Sequence, residues 1–179
     1  MSFMLEKEGF LRKVVLALFV LAMLGPWSFD LLHVPAQFPC DGVSVRLVGD
    51  FCGYPVTGFG GVIMIFSSIF GNLGALVRGN VAFLLPELTV LFVMSLVLIP
   101  SVSTLLLILK ERSRGFKIVN LIFWVLGALA ALLVLFLQMM RTEVAPVIYL
   151  MWGAWLYILI AVGAVVLEGM GLREKVVKK

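Results

Sequence analysis

FGGVIMIFSSIFGNLGALV, residues 59–77, decides how this chain is threaded. A bilayer's hydrocarbon core is about 30 Å thick, and a helix needs about 20 mainly apolar residues to cross it. Residues 59–77 stand at that limit. Gly61, Met64, Ser68, Gly71, Asn72 and Ala75 recur at helical spacing as a weak stripe of small and polar side chains. Val62, Ile65, Phe66, Ile69, Leu73 and Leu76 cover the rest. Such a helix spans, lies in the outer interface, or dips in and returns. The charges elsewhere in the chain make the choice.

Composition names the solvent. Apolar residues make up 63% of the 179 and charged residues 13%, where a soluble domain has roughly 45–50% and 25%. Mean hydropathy is +1.16. Besides 59–77, the apolar runs are 10–27, broken near its start by Arg12 and Lys13, then 87–109, 118–138 and 147–167. Each is long enough to span.

Lysine and arginine mark the segments that a membrane retains on its cytoplasmic side. With four crossings and both termini inside, the inner segments hold Lys7, Arg12 and Lys13; Lys110, Arg112, Arg114 and Lys117; and Arg173, Lys175, Lys178 and Lys179. Of the 14 basic residues only Arg46, Arg78 and Arg141 then remain outside or at the outer surface. A fifth crossing at 59–77 would turn the KERSRGFK loop and the REKVVKK tail outward, against the rule. Residues 60–77 or so are therefore expected as an interfacial or re-entrant helix. The first run has the basic start of a signal peptide, but LAMLGPW offers no small-x-small cleavage site, so it is expected to stay as an anchor.

The fold class expected is an all-α integral membrane protein. It comprises a four-transmembrane-helix bundle, a disulfide-clipped extracytoplasmic first loop at 28–86, and the interfacial or re-entrant helix, in a single membrane domain. Its expected place is a plasma (inner) membrane, multi-pass, with N- and C-termini cytoplasmic.

The loop holds the most polar run in the chain, CDGVSVRLVGDFC at 40–52. It faces a compartment where disulfides persist. Val43-Ser-Val-Arg-Leu47 alternates, and Asp41-Gly42 and Gly49-Asp50 bracket it as turns, which predicts a hairpin-like unit clipped by Cys40–Cys52. Closing a ring of this size contributes about 3 kcal/mol, which matters because a two-stranded unit is marginal alone. A redox-active pair would need a C-x-x-C and a relay pair. A metal site would need four ligands, and the two thiols with His33 fall short. Asp50, Phe51 and Trp27 are candidate interaction residues here; Trp27 is expected to end the first helix in an aromatic belt. The prolines at 26, 35, 39 and 55 predict a stiff, extended entry.

Within the helices, Glu87 follows Pro86 and is expected in the first turn at the outer interface, facing the positive helix end, with Arg78 or Arg141 as its partner from the same side. Its sharper reading is a proton or cation site. Pro100 predicts a kink, its freed carbonyl met by hydroxyls of Ser101, Ser103 or Thr104. Gly127-x-x-x-Ala131 predicts close helix packing. Trp152, Trp155 and Tyr157 read as interfacial anchors, and no cluster of polar residues is expected near either surface.

The layout of Trp27, Cys40, Cys52 and Arg78 around the first loop resembles the claudin and peripheral-myelin-protein group of four-helix membrane proteins. Two features depart from it: QFPC stands where that group has Gly-Leu-Trp before the first cysteine, and the second outer loop, 139–146, is short. The resemblance implies an interaction protein whose outer loop binds a partner.

No phosphate loop, dinucleotide fingerprint, HExxH or Ser/His/Asp set is present, and His33 is the sole histidine. No catalytic residue, cofactor, metal or nucleic-acid partner is expected. The expected function is a non-enzymatic interaction or scaffold subunit, with the lipid bilayer and a protein partner or homo-oligomer around it. The rivals are a small channel or transporter using 59–77 and Glu87, and a lipid- or quinone-handling enzyme.

Overall fold

The structure, a computed structural model, describes residues 2–33, 39–40, 45–48, 51–71, 85–109, 114–140 and 150–177. Helix α1 (Ser2–Leu24) carries the first apolar run and ends earlier than expected, at Gly25-Pro26. Proline has no N–H, so a helix running through residue 26 would leave the Ala22 carbonyl without its i+4 donor. The Trp27 indole supplies one instead, donating from Nε1 to that carbonyl at 2.9 Å.

The first loop corrects the all-α expectation. It forms a three-stranded antiparallel sheet of β1 (Pro26–His33), β2 (Val45–Val48) and β3 (Phe51–Thr57), in the order β1-β3-β2. The expected hairpin is present as β2 and β3, with Val48 opposite Phe51 and Gly49-Asp50 between them in sequence. The added strand is β1, which follows α1 with only Gly25 between and pairs with the whole of β3, from Pro26–Thr57 to His33–Phe51. Three strands that share a centre are past the marginal stability of an isolated hairpin.

A register shift between Pro26 and Ser28 makes Trp27 the extra residue of a bulge. Bulges re-aim side chains, and here the indole turns into the helices and is 1% exposed. The aromatic-belt reading of Trp27 is thereby corrected.

Thr57 ends β3 and caps the next helix, its Oγ1 accepting from the Gly60 N–H at 3.0 Å. That helix, α2 (Gly58–Gly71), has 14 residues, about 21 Å at 1.5 Å per residue. It packs on β3, α1 and the next helix, while Ile63, Met64, Phe66 and Phe70 stay exposed. The expected end at 77 lies outside the described residues.

Three further helices follow: α3 (Leu85–Leu109), α4 (Arg114–Met139) and α5 (Trp152–Val177). Their stretches Leu91–Leu109, Gly115–Met139 and Trp152–Met170 are long and apolar enough to cross a membrane. The last begins later than the expected 147, and 141–149 are outside the described residues. The four long helices pack in a ring, α1 on α5, α5 on α4, α4 on α3 and α3 on α1. Their outward faces stay apolar, as Val102, Leu129, Phe136 and Leu159 show, which suits hydrocarbon rather than water.

Tyr157 lies at the centre of the ring. Its side chain is fully buried among Phe19, Trp27 and Trp124, with ring centroids 5.4 to 6.0 Å away, and its hydroxyl donates to the Val97 carbonyl at 3.1 Å. Trp152 and Trp155 are exposed, whereas Tyr157 is buried, which corrects the anchor reading for that residue. Two residues beyond Trp155 is about 200° around a helix, so Tyr157 takes the inward face.

Small residues set the closest approaches. A Cβ on Gly153 would lie 2.6 Å from the Ala22 carbonyl oxygen, and one on Gly25 would lie 2.8 Å from the Gly153 Cα. On α4, a Cβ on Gly127 would meet the Tyr157 hydroxyl and come within 3.0 Å of the Leu96 carbonyl. Leu96 is the residue whose carbonyl Pro100 leaves free. The nearby hydroxyls serve other carbonyls: Ser101 donates to Leu98 and Ser103 lies 2.9 Å from the Pro100 oxygen. The expectation for Pro100 is corrected to that extent, and the packing role of Gly127-x-x-x-Ala131 is observed, with Ala131 fully buried.

Gly153→Ala is expected to push α1 off α5 and lower stability by about 1–3 kcal/mol, read as a lower thermal midpoint in mild detergent. Gly163→Ala, with open space at its Cβ, is the control and should leave the midpoint unchanged.

Candidate functional site

Two features of different chemistry occupy opposite ends of the helix ring. At one end stands the sheet. Cys52, on the central strand opposite Leu32 and Arg46, is bonded to Cys40 with a Cα–Cα distance of 5.8 Å. Cys52 is 1% exposed, which places the bond inside the cap. The cap is tied to the helices by the Trp27 indole, by the Gly58 N–H donating to the Gly25 carbonyl at 3.3 Å, and by packing of β1 on α4 and α5.

The sequence-derived candidates distribute unevenly around it. Phe51 opens β3, and Glu87 falls in the first turn of α3, one residue after Pro86, as expected. Asp50, Arg78 and Arg141 lie outside the described residues. The structure brings Cys40 and Cys52 together and places Trp27 in the core, at the other end of the β1–β3 pairing.

At the other end lies a polar network, against the expectation that none gathers near a surface. Arg12 of α1 donates from Nε and Nη2 to the two carboxylate oxygens of Glu168 on α5, at 2.8 and 2.9 Å. The side chains are 9% and 2% exposed. Arg12 Nη2 also lies 3.4 Å from Glu8, which accepts from Lys117 Nζ of α4 at 2.8 Å. The Asn120 amide donates to Glu168 at 3.3 Å, and its oxygen accepts from Thr104 of α3 at 3.2 Å. Ser103 lies in bonding reach of the same oxygen, and the Trp124 indole donates to Thr104 at 3.0 Å. Every long helix contributes.

Two acids face two bases, so the formal charge cancels. Cancellation matters because an ionised group stripped of water costs several kcal/mol unless it is paired and its remaining atoms are bonded. The bidentate fork of Arg12 on Glu168 is the strongest form of such pairing. From Arg12 to the end of α1 at Leu24 the helix rises about 18 Å, which sets the network well away from the sheet.

The network also has a terminus. Going inward it passes from Glu168 to Asn120, to Thr104 and then to the Trp124 indole. An indole N–H donates and cannot accept, so it cannot relay a proton. Beyond it come the packed rings around Tyr157. A groove of about 350 Å³ between α3 and α4 is lined chiefly by apolar side chains such as Leu98, Val102 and Phe123. Among the described residues, no three of His, Cys, Asp and Glu come together as a metal site would require.

Sequence reasoning missed the network because its members are far apart, Arg12 and Glu168 by 156 residues. The available signal was weak: Asn120 interrupts an apolar run and Glu168 follows one immediately. Comparisons with protein-family models, with curated proteins and with solved structures find no match to this chain.

Asn120→Ala is expected to leave the Thr104 hydroxyl without its acceptor and to remove one of the two donors on Glu168 Oε1, at about 1–3 kcal/mol. Ser103→Ala should cost less, since Asn120 keeps Thr104. Thermal midpoints in detergent that reversed this order would contradict the network as drawn.

Proposed function

We propose that this chain is a four-crossing integral membrane protein that serves as a non-catalytic interaction subunit, presenting the clipped sheet on the extracytoplasmic side. The observation that carries the reading is the absence of a linker: β1 follows α1 with only Gly25 between, and the sheet is bolted to the helices through Trp27. A surface fixed relative to the membrane loses little freedom when it meets a partner, which favours binding.

Charge distribution supports the orientation. Lys110, Arg112, Arg114 and Lys117 surround the connection between α3 and α4, at the network end of the ring, and the tail beyond α5 is also basic. That end is cytoplasmic in this reading and the sheet is outside. α2 lies against the outer leaflet, its exposed Ile63, Met64, Phe66 and Phe70 in contact with lipid. The resemblance to the claudin and peripheral-myelin-protein group points toward the same kind of role.

The interior speaks against conduction. A pore needs a wetted or ion-binding path, whereas here the polar chain ends at Trp124 and aromatic packing follows.

The double variant Cys40→Ser/Cys52→Ser is expected to insert normally and to lose at least tenfold in a partner cross-linked from outside in native membranes. Undiminished cross-linking would count against the cap as the recognition surface. In liposomes, wild type and Glu87→Gln should both give proton and potassium flux no greater than empty vesicles. Flux that falls on Glu87→Gln would favour a channel instead.

A further inference from the structure

α1 is the odd member of the ring. The other three long helices are long and apolar enough to cross a membrane, whereas Arg12 and Lys13 break the apolar run of α1. Lys13 is exposed and can extend its stem toward the surface. Arg12 is buried against α5. Among the described side chains of α1 its acid partner is Glu8, and Glu8 is shared with Lys117.

The charge arithmetic of the cluster follows directly. Removing Glu168 leaves Arg12 and Lys117 against Glu8, one positive charge in excess. Removing Arg12 leaves Glu8 and Glu168 against Lys117, one negative charge in excess. Removing both leaves Glu8 and Lys117 paired and the cluster neutral.

We infer that the crossing of α1 is held by α5: the Arg12–Glu168 pair makes the seating of the first helix conditional on the last one. The inference rests on the four-crossing reading. The two residues are 156 positions apart, so at synthesis rates of about 5–20 residues per second α1 waits roughly 8–30 s for its counter-ion. During that interval the guanidinium has no full partner. The final seating of α1, and of the sheet that follows it without a linker, therefore comes after α5 has been made.

The disulfide reports the outcome. When α1 crosses, Cys40 and Cys52 reach the oxidising side and pair; when it does not, they stay with the cytoplasmic end and remain thiols. Full-length wild type, Glu168→Leu, Arg12→Leu and the double variant Arg12→Leu/Glu168→Leu are expressed in intact cells. Free thiols are trapped by alkylation, and membrane-inserted chain is quantified. Wild type should carry few free thiols. Glu168→Leu should carry at least fivefold more, or be depleted from the membrane, and the double variant should return to the wild-type level in both readouts.

Glu168→Leu as oxidised and as abundant as wild type would overturn the inference. So would a double variant as impaired as Glu168→Leu, since packing rather than unpaired charge would then be responsible. A separate arm isolates the underlying topology. If a protease site placed after Asp41 and a tag appended to Lys179 are reached from the same side in wild type, the four-crossing reading itself fails.

Discussion

A buried guanidinium without a partner is poorly tolerated, and much of this molecule follows from how Arg12 avoids that fate. Its bond to Glu168 fixes α1 along α5. With the two helices in that register, Gly25 meets Gly153 at the far end, where neither position has room for a side chain. Pro26 ends α1 beside this close approach, and β1 begins there. The ion pair at one end of the ring and the glycine contact at the other thus hold α1, and the sheet that follows it, in one register along α5. A buried pair of this kind adds little to net stability compared with well-packed apolar residues. Its contribution is specificity, because it excludes arrangements in which either charge stands alone.

The two ends divide the chemistry. The network end is neutral in sum, hydrogen-bonded across every long helix and blocked by Trp124 and Tyr157. The sheet end is covalently clipped and anchored by the Trp27 indole on the Ala22 carbonyl, by the Gly58 N–H on the Gly25 carbonyl and by packing of β1 on α4 and α5. Tyr157 sits between them and touches rings from α1, β1 and α4, so that cap and bundle share one core. In the proposed role the bundle is a rigid mount and the cap is the surface it holds.

Much of this was legible from local patterns and much was not. Hydropathy identified α3, α4 and α5 because spanning helices must be apolar over their full length. Compartment and turn residues identified the Cys40–Cys52 bond and the hairpin it clips. PWSFDLLH lacks the alternation of a half-buried strand, and only pairing with distant β3 makes it β1. Trp27 looked like an interfacial aromatic because its inward turn depends on a bulge, which is a property of two strands together. Tyr157 was grouped with its tryptophan neighbours although helical spacing alone puts it on the other face. The network stayed hidden for a different reason. Each member has an ordinary local explanation, with Arg12 and Lys117 as topology signals and Glu168 as a helix-end acid, and only folding shows that they are one another's partners.

The most direct measurement is solid-state NMR of the full-length protein in lipid bilayers, with the guanidinium nitrogens of Arg12 and the carboxylate carbon of Glu168 labelled. A strong dipolar coupling between them, lost on diluting labelled into unlabelled chains only in proportion to the label, is the expected result and establishes an intramolecular pair. Absence of that coupling, with Arg12 instead in contact with lipid phosphate, would contradict the account.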